Sequence, residues 1–164
     1  MAVQTTNPTT DYRQERRQRA DAIIKQLKAG LEMALLRFPV ELAYLHGSVA
    51  RGTPLPDSDI DLALVLSEPL PPPLERLALE FAIQDTVAEV CGLKSIDARV
   101  INLAPLAVQG GIVQEGMCLY IRDRGRKTDF ESLTRRKYFD FQPKMERMQN
   151  AFLEHIRQTG LKRG

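Results

Sequence analysis

The chain has 164 residues, 43% of them hydrophobic and 27% charged, with a formal net charge of +2. That length holds one domain, or one domain with an appendage, and the composition excludes a wholly disordered chain. No apolar run approaches the roughly 20 residues that cross a bilayer, residues 1–20 lack an apolar signal core, and the charge is too balanced to announce a nucleic-acid binder.

Cys91 and Cys118 are the only cysteines. Without further ligands beside them they read as free thiols, and a cytoplasmic location is expected.

Residues 1–10, rich in Thr, Asn, Pro and Gln, are expected to be a disordered tail. From 11 to 38 the pattern is helical: Ile23, Ile24, Leu27, Leu31, Leu35 and Phe38 recur at intervals of three and four, and Pro39 stops the run. Arg13, Arg16, Arg17 and Arg19 read as an exposed face of this helix, with partner binding as the second reading. "VELAYLHG" then reads as a strand ending at Gly47. "DIDLALVL" is apolar enough for a central strand covered on both faces.

"SEPLPPP" is a linker that opens a helix over 74–91, with Gly92 as its C-cap. "KSIDARVIN" is a third strand carrying Asp97, a short helix follows Pro105, and "MCLYIRD" is a fourth strand. The "RDRGRK" run at 122–127 reads as a solvated loop. From about 129 the chain is expected to be helical, kinked or split at Pro143. Phe141, Met145, Met148, Phe152 and Ile156 share helical spacing there, as for packing on the sheet; docking of a partner is the second reading. The expected fold is α/β (α+β), a mixed sheet of about four strands covered by helices, with helical extensions at both ends.

The chemistry concentrates in "HGSVARGTPLPDSDIDLALVL". Strand side chains alternate, so Asp59 and Asp61 are expected on one face, about 7 Å apart along the backbone. Like charges this close repel unless a cation lies between them or one is protonated, and Mg²⁺ accepts one or two carboxylates plus water and phosphate oxygens. Gly47 and Ser48 supply a backbone that can approach a phosphate, with Ser48 adding a hydroxyl. Arg51 either contacts phosphate or is solvated. Asp97 is a candidate third carboxylate, its rival reading being a salt bridge to Arg99 on the same strand face. Asp57 reads as a turn residue, His46 as packed under the loop, and His155 as surface. Gly-Ser, ten residues, then Asp-x-Asp fixes four positions, on the order of one chance match per thousand chains of this length.

This stretch resembles the signature of the polymerase-β-like nucleotidyltransferases. The short chain is most similar to the minimal nucleotidyltransferases, the antitoxin halves of HEPN–MNT toxin–antitoxin pairs. The resemblance covers about residues 40–121, including "SIDARVINLAPLAVQGGIVQEGMCLYIRD". It implies a nucleotidyltransferase domain over 39–123, with residues 124–164 as a C-terminal extension. It also implies that Asp59, Asp61 and Asp97 hold Mg²⁺ (two ions), and that Gly47 and Ser48 cradle the triphosphate of ATP. The implied reaction is transfer of AMP to a tyrosine of a cognate HEPN-family toxin, in a type VII-like pair. Neither a membrane nor a nucleic acid is an expected partner, and a homo- or hetero-oligomer is open. Neutralisation by binding alone and an aminoglycoside-type small-molecule transferase are the alternatives. His46 in place of the common Phe, Gly110-Gly111 in the short helix and the long Arg-rich N-terminal helix depart from the family pattern.

Overall fold

The apolar spacing of residues 23–38 winds the first helix, and the computed structural model, which describes residues 8–160, runs α1 from Pro8 to Leu35. It stops short of the expected end because residues 36–39, Pro39 included, form turns. Residues 1–7 and 161–164 lie outside the described residues, and with them most of the expected tail; residues 8–10, expected in that tail, are instead the first turn of α1. There follow β1 (Val40–His46), α2 (Gly47–Ala50), β2 (Ile60–Leu66), α3 (Pro73–Cys91) and β3 (Ile96–Val100). The chain closes with α4 (Leu106–Glu115), β4 (Met117–Ile121) and α5 (Arg124–Thr159).

The four strands form one mixed sheet in the order β3-β2-β1-β4. β1 pairs antiparallel with both β2 and β4, and β2 pairs parallel with β3. Alternation sorts β2 as its sequence requires: Ile60, Leu62, Leu64 and Leu66 join Leu27, Leu31 and Ile83 under α1 and α3. Ala63 and Val65 join Leu42, Tyr44 and Ile112 in a smaller core on the other face. Central strands covered on both faces read as continuous apolar runs, and β2 is one. A register shift between Val40 and Leu42 explains why these two alternate positions serve opposite cores.

On that second face a polar cluster ties α5 to β1. The fully buried Tyr44 donates its hydroxyl proton to Glu131 Oε1 (2.9 Å), which also pairs with Lys127 at 2.9 Å. Burial first, with the neighbouring Cys118 and Glu131, raises the Tyr44 phenol well above its usual range. Burial works to raise Glu131 as well, but Lys127, Tyr44 and Arg135 outweigh it and hold its carboxyl low. Gly110 serves the same face: a Cβ there would come within 2.8 Å of the Tyr138 ring, so the glycine that weakens α4 lets α5 approach it.

Three expectations change at the C-terminal end. α5 starts at Arg124, because Asp123 caps it by accepting from Arg126 N at 2.8 Å, so most of "RDRGRK" is helix rather than loop. Arg122 is exposed but not idle: its Nη2 donates to the carbonyls of Leu36 (3.1 Å) and Phe38 (2.7 Å), fastening the end of α1 to β4. α5 also runs through Pro143 as one helix. Its distal half does not pack on the sheet, since Met148 and Phe152 are each 63% exposed. His155 is exposed, as expected. Cys91 and Cys118 are free thiols, buried and half-buried. Among the described residues, no helix is long and apolar enough to cross a membrane.

Candidate active site

β1 ends at His46 and the chain turns at once into α2, so Gly47 takes the corner with φ +71°. A side chain is opposed there twice. The left-handed backbone costs an L-residue roughly 1–2 kcal/mol. A Cβ would also run into the Asp61 carboxylate, 3.0 Å from its Cγ. The glycine therefore lets the loop backbone close onto Asp61. Buried Val49 anchors α2, and Thr53 N donates to Ser48 O at 2.9 Å, curling the loop back on itself.

Sheet register sets the remaining groups. His46 lies opposite Asp61 across β1 and β2, and Asp61 opposite Asp97 across β2 and β3. Neighbouring strands lie about 4.8 Å apart, so three ionisable residues form one row at the end of the sheet. Ser95, in a left-handed conformation at φ 55°, fixes that register by offering its carbonyl to Ile60 N at 2.8 Å. Asp59 is exposed and just precedes β2, outside the strand in which it was expected. Ser48 is half-buried and Arg51 exposed. Asp57 is exposed in a turn closed by Ser58, whose hydroxyl accepts from Leu55 N at 2.8 Å.

Burial raises the Asp61 pKa, and Asp97 and Asp59 add to the rise; His46 and Arg51 oppose it. His46 is lowered, first by burial and then by Arg51, against the pull of Asp61 and Asp97. It is half-buried beside the loop rather than exposed.

Asp97 carries both of its sequence readings at once. It sits in the row with Asp61, yet its Oδ1 accepts from Arg99 Nε at 2.7 Å. Arg99 Nη1 lies 3.6 Å from Glu80 Oε2, and the buried Glu80 accepts from Val100 N at 2.7 Å. Glu80 had no visible signal, as a lone acid in an apolar helix pattern. Among the described residues, no three acidic, His or Cys side chains are gathered closely enough to hold one metal ion. The donor chemistry nevertheless fits a hard divalent cation: three all-oxygen carboxylates, whose mutual repulsion at Asp61 such an ion would relieve. Arg99 engages only Oδ1 of Asp97, so Oδ2 remains to face a cation.

Two open clefts flank α2. One of about 180 Å³ is lined by His46, Gly47, Arg51, Val108 and Glu115; the other, of about 770 Å³, shares Arg51 and extends along α1.

The polymerase beta nucleotidyltransferase family model matches residues 31–125, more than half of the chain, and the chain belongs to that family. The matched stretch includes Gly47, Ser48, Asp59, Asp61 and Asp97. Among solved structures, a toxin–antitoxin complex with AMP-PNP contains a chain 22% identical to this one (TM-score 0.57, covering 82% of this chain and 98% of that one). A chain of a mutant MntA–HpeT toxin–antitoxin is 21% identical (TM-score 0.58, 75% and 94% covered). The tri-AMPylated Shewanella oneidensis HEPN toxin in complex with MNT antitoxin contains a chain 18% identical (TM-score 0.52, 86% and 98% covered). At these identities the likeness establishes the shared fold. A search of curated proteins finds no match.

Proposed function

We propose that this nucleotidyltransferase is the antitoxin of a HEPN–MNT pair and transfers AMP from ATP to a tyrosine hydroxyl of its cognate HEPN-family toxin. The observation that carries the proposal is the closure of Gly47 onto Asp61 with Asp97 in register beside it. It sets a phosphate-accommodating turn against a row of carboxylates. Likeness to chains of a complex with AMP-PNP and of an AMPylated toxin complex supports the nucleotide and the acceptor class.

In this reading the backbone at Gly47 and Ser48 and the Ser48 hydroxyl donate to the polyphosphate, and Arg51 neutralises part of its charge. Asp59 and Asp61 would hold Mg²⁺, with Asp97 completing the set. When bound, the ion neutralises the triphosphate and favours ionisation of the acceptor hydroxyl. The chain's own work is positioning: it holds the α-phosphorus in line with the acceptor oxygen, and Asp97 takes the hydroxyl proton. The new O–P bond forms as the bond to the β-phosphate oxygen breaks and pyrophosphate leaves.

A second reading, neutralisation by binding alone, draws on one observation: Arg99 already pairs with Asp97 through Oδ1. Co-expression of toxin and antitoxin separates the two. Under the transferase reading, wild type rescues growth and Asp59→Asn/Asp61→Asn does not. Equal rescue by the double variant would favour binding alone.

A further inference from the structure

The larger cleft is lined by Arg13, Gln14, Arg16 and Arg17 of α1 and by Arg51, Gly52 and Thr53 after α2. Four arginines thus line one concavity, three of them exposed and Arg16 half-buried, in a chain whose net charge is only +2. Among the described residues, none of the four is in an ion pair; those found involve Arg99, Lys127 and Arg135. The acids of this stretch of α1, Asp11 and Glu15, are exposed and do not line the cleft.

Two contacts hold the walls of the cleft together. A Cβ on Gly52 would lie 3.6 Å from Arg17 Cγ, so the stem of Arg17 runs over the bare backbone at Gly52. Arg19 Nη1 donates to Pro54 O at 3.4 Å, tying α1 to the loop one turn further along. The uncompensated charge therefore sits where α1 is fastened to the loop that carries Gly47 and Ser48.

We infer that this cleft is a second anion site that takes a free oligophosphate, inorganic pyrophosphate above all. Arginine's planar fork matches phosphate oxygens two at a time, and pyrophosphate concentrates several negative charges in a small volume. An open cleft of about 770 Å³ has room for a small ligand. A nucleic acid would call for a basic track, and the four arginines span only a turn and a half of one helix and the start of one loop. The choice of pyrophosphate rests on the transferase reading, which releases it; the charge and shape of the cleft do not.

The test is calorimetric titration with sodium pyrophosphate, without magnesium, of wild type, Arg13→Gln/Arg16→Gln/Arg17→Gln and the charge-matched Lys25→Gln/Lys28→Gln/Lys144→Gln. Wild type and the lysine variant are expected to bind alike, and the arginine variant to lose about tenfold or more in affinity. Should the triple variant misfold, Arg16→Gln alone is expected to lose several-fold. No binding by wild type, or equal binding by the arginine variants, would overturn the site. So would binding of a single-stranded oligonucleotide in its place. Pyrophosphate binding in a protein that transfers no AMP would keep the site and reject the function; transfer without pyrophosphate binding would do the reverse.

Discussion

Replacing Gly47 with alanine asks the structure for two things at once, and a second glycine separates them. Gly92, the C-cap of α3, has φ 65° and its nearest neighbour to a new Cβ is Gln26 Nε2 at 3.9 Å, so Gly92→Ala meets the backbone penalty alone. Gly47→Ala meets the same penalty at φ +71° and also pushes its Cβ into Asp61. The left-handed backbone costs each variant roughly 1–2 kcal/mol, which lowers Tm by about 2–8 °C for a chain of this size. Asp61 is a short side chain with an open end and yields by rotating. The clash is therefore expected to appear in ligand binding rather than in stability. Thermal melting should show both variants folded and similarly destabilised. Calorimetry should show Gly92→Ala binding Mg-ATP as wild type does and Gly47→Ala weakened about tenfold or more, since a displaced carboxylate loses a charge-assisted contact. Equal Mg-ATP affinity in the two variants would refute the claim that Gly47 sets the position of Asp61.

Asp61 should make the ligand-free fold less stable, because burial and its acidic neighbours raise its pKa. A raised carboxylate pKa contributes stability that is complete below the unfolded value, 3.8, and lost as pH rises through the folded value. Asp61→Asn should therefore raise Tm at pH 7 without magnesium, by about 2–4 °C for each kcal/mol relieved, with the gain vanishing below pH 3.8; a gain independent of pH would contradict this origin. Tyr44→Phe leaves Glu131 with Lys127 and Arg135 but removes one buried hydrogen bond. It should cost about 1–2 kcal/mol in urea unfolding and leave Mg-ATP binding untouched, and an unchanged midpoint would show that the cluster does not hold α5 to β1.

Legibility followed from where the physics is local. The sheet and α3 could be read because β2 is an uninterrupted apolar run and Gly92 stops α3 in the left-handed conformation that glycine favours. The spacing from Gly47 to Asp61 was visible because one strand, one turn and the next strand hold it together. Asp97 is brought beside Asp61 by parallel pairing across 35 intervening positions, and its rival partner Arg99 is held by Glu80 from a different element; no local pattern carries that competition. The distal half of α5 misled because its apolar spacing is the same whether or not anything covers it, and here Met148 and Phe152 remain exposed. Arg122 was hidden in a basic run, since only the fold shows that the end of α1 offers it unpaired carbonyls.

The measurement that bears most directly on the central claim is transfer of label from α-labelled ATP, with Mg²⁺, to the purified cognate HEPN-family protein, comparing wild type with Asp59→Asn/Asp61→Asn. The account predicts label on a tyrosine of the partner with wild type only. A tight complex with either version and no label on the partner would contradict it, leaving the aligned carboxylates without a catalytic role.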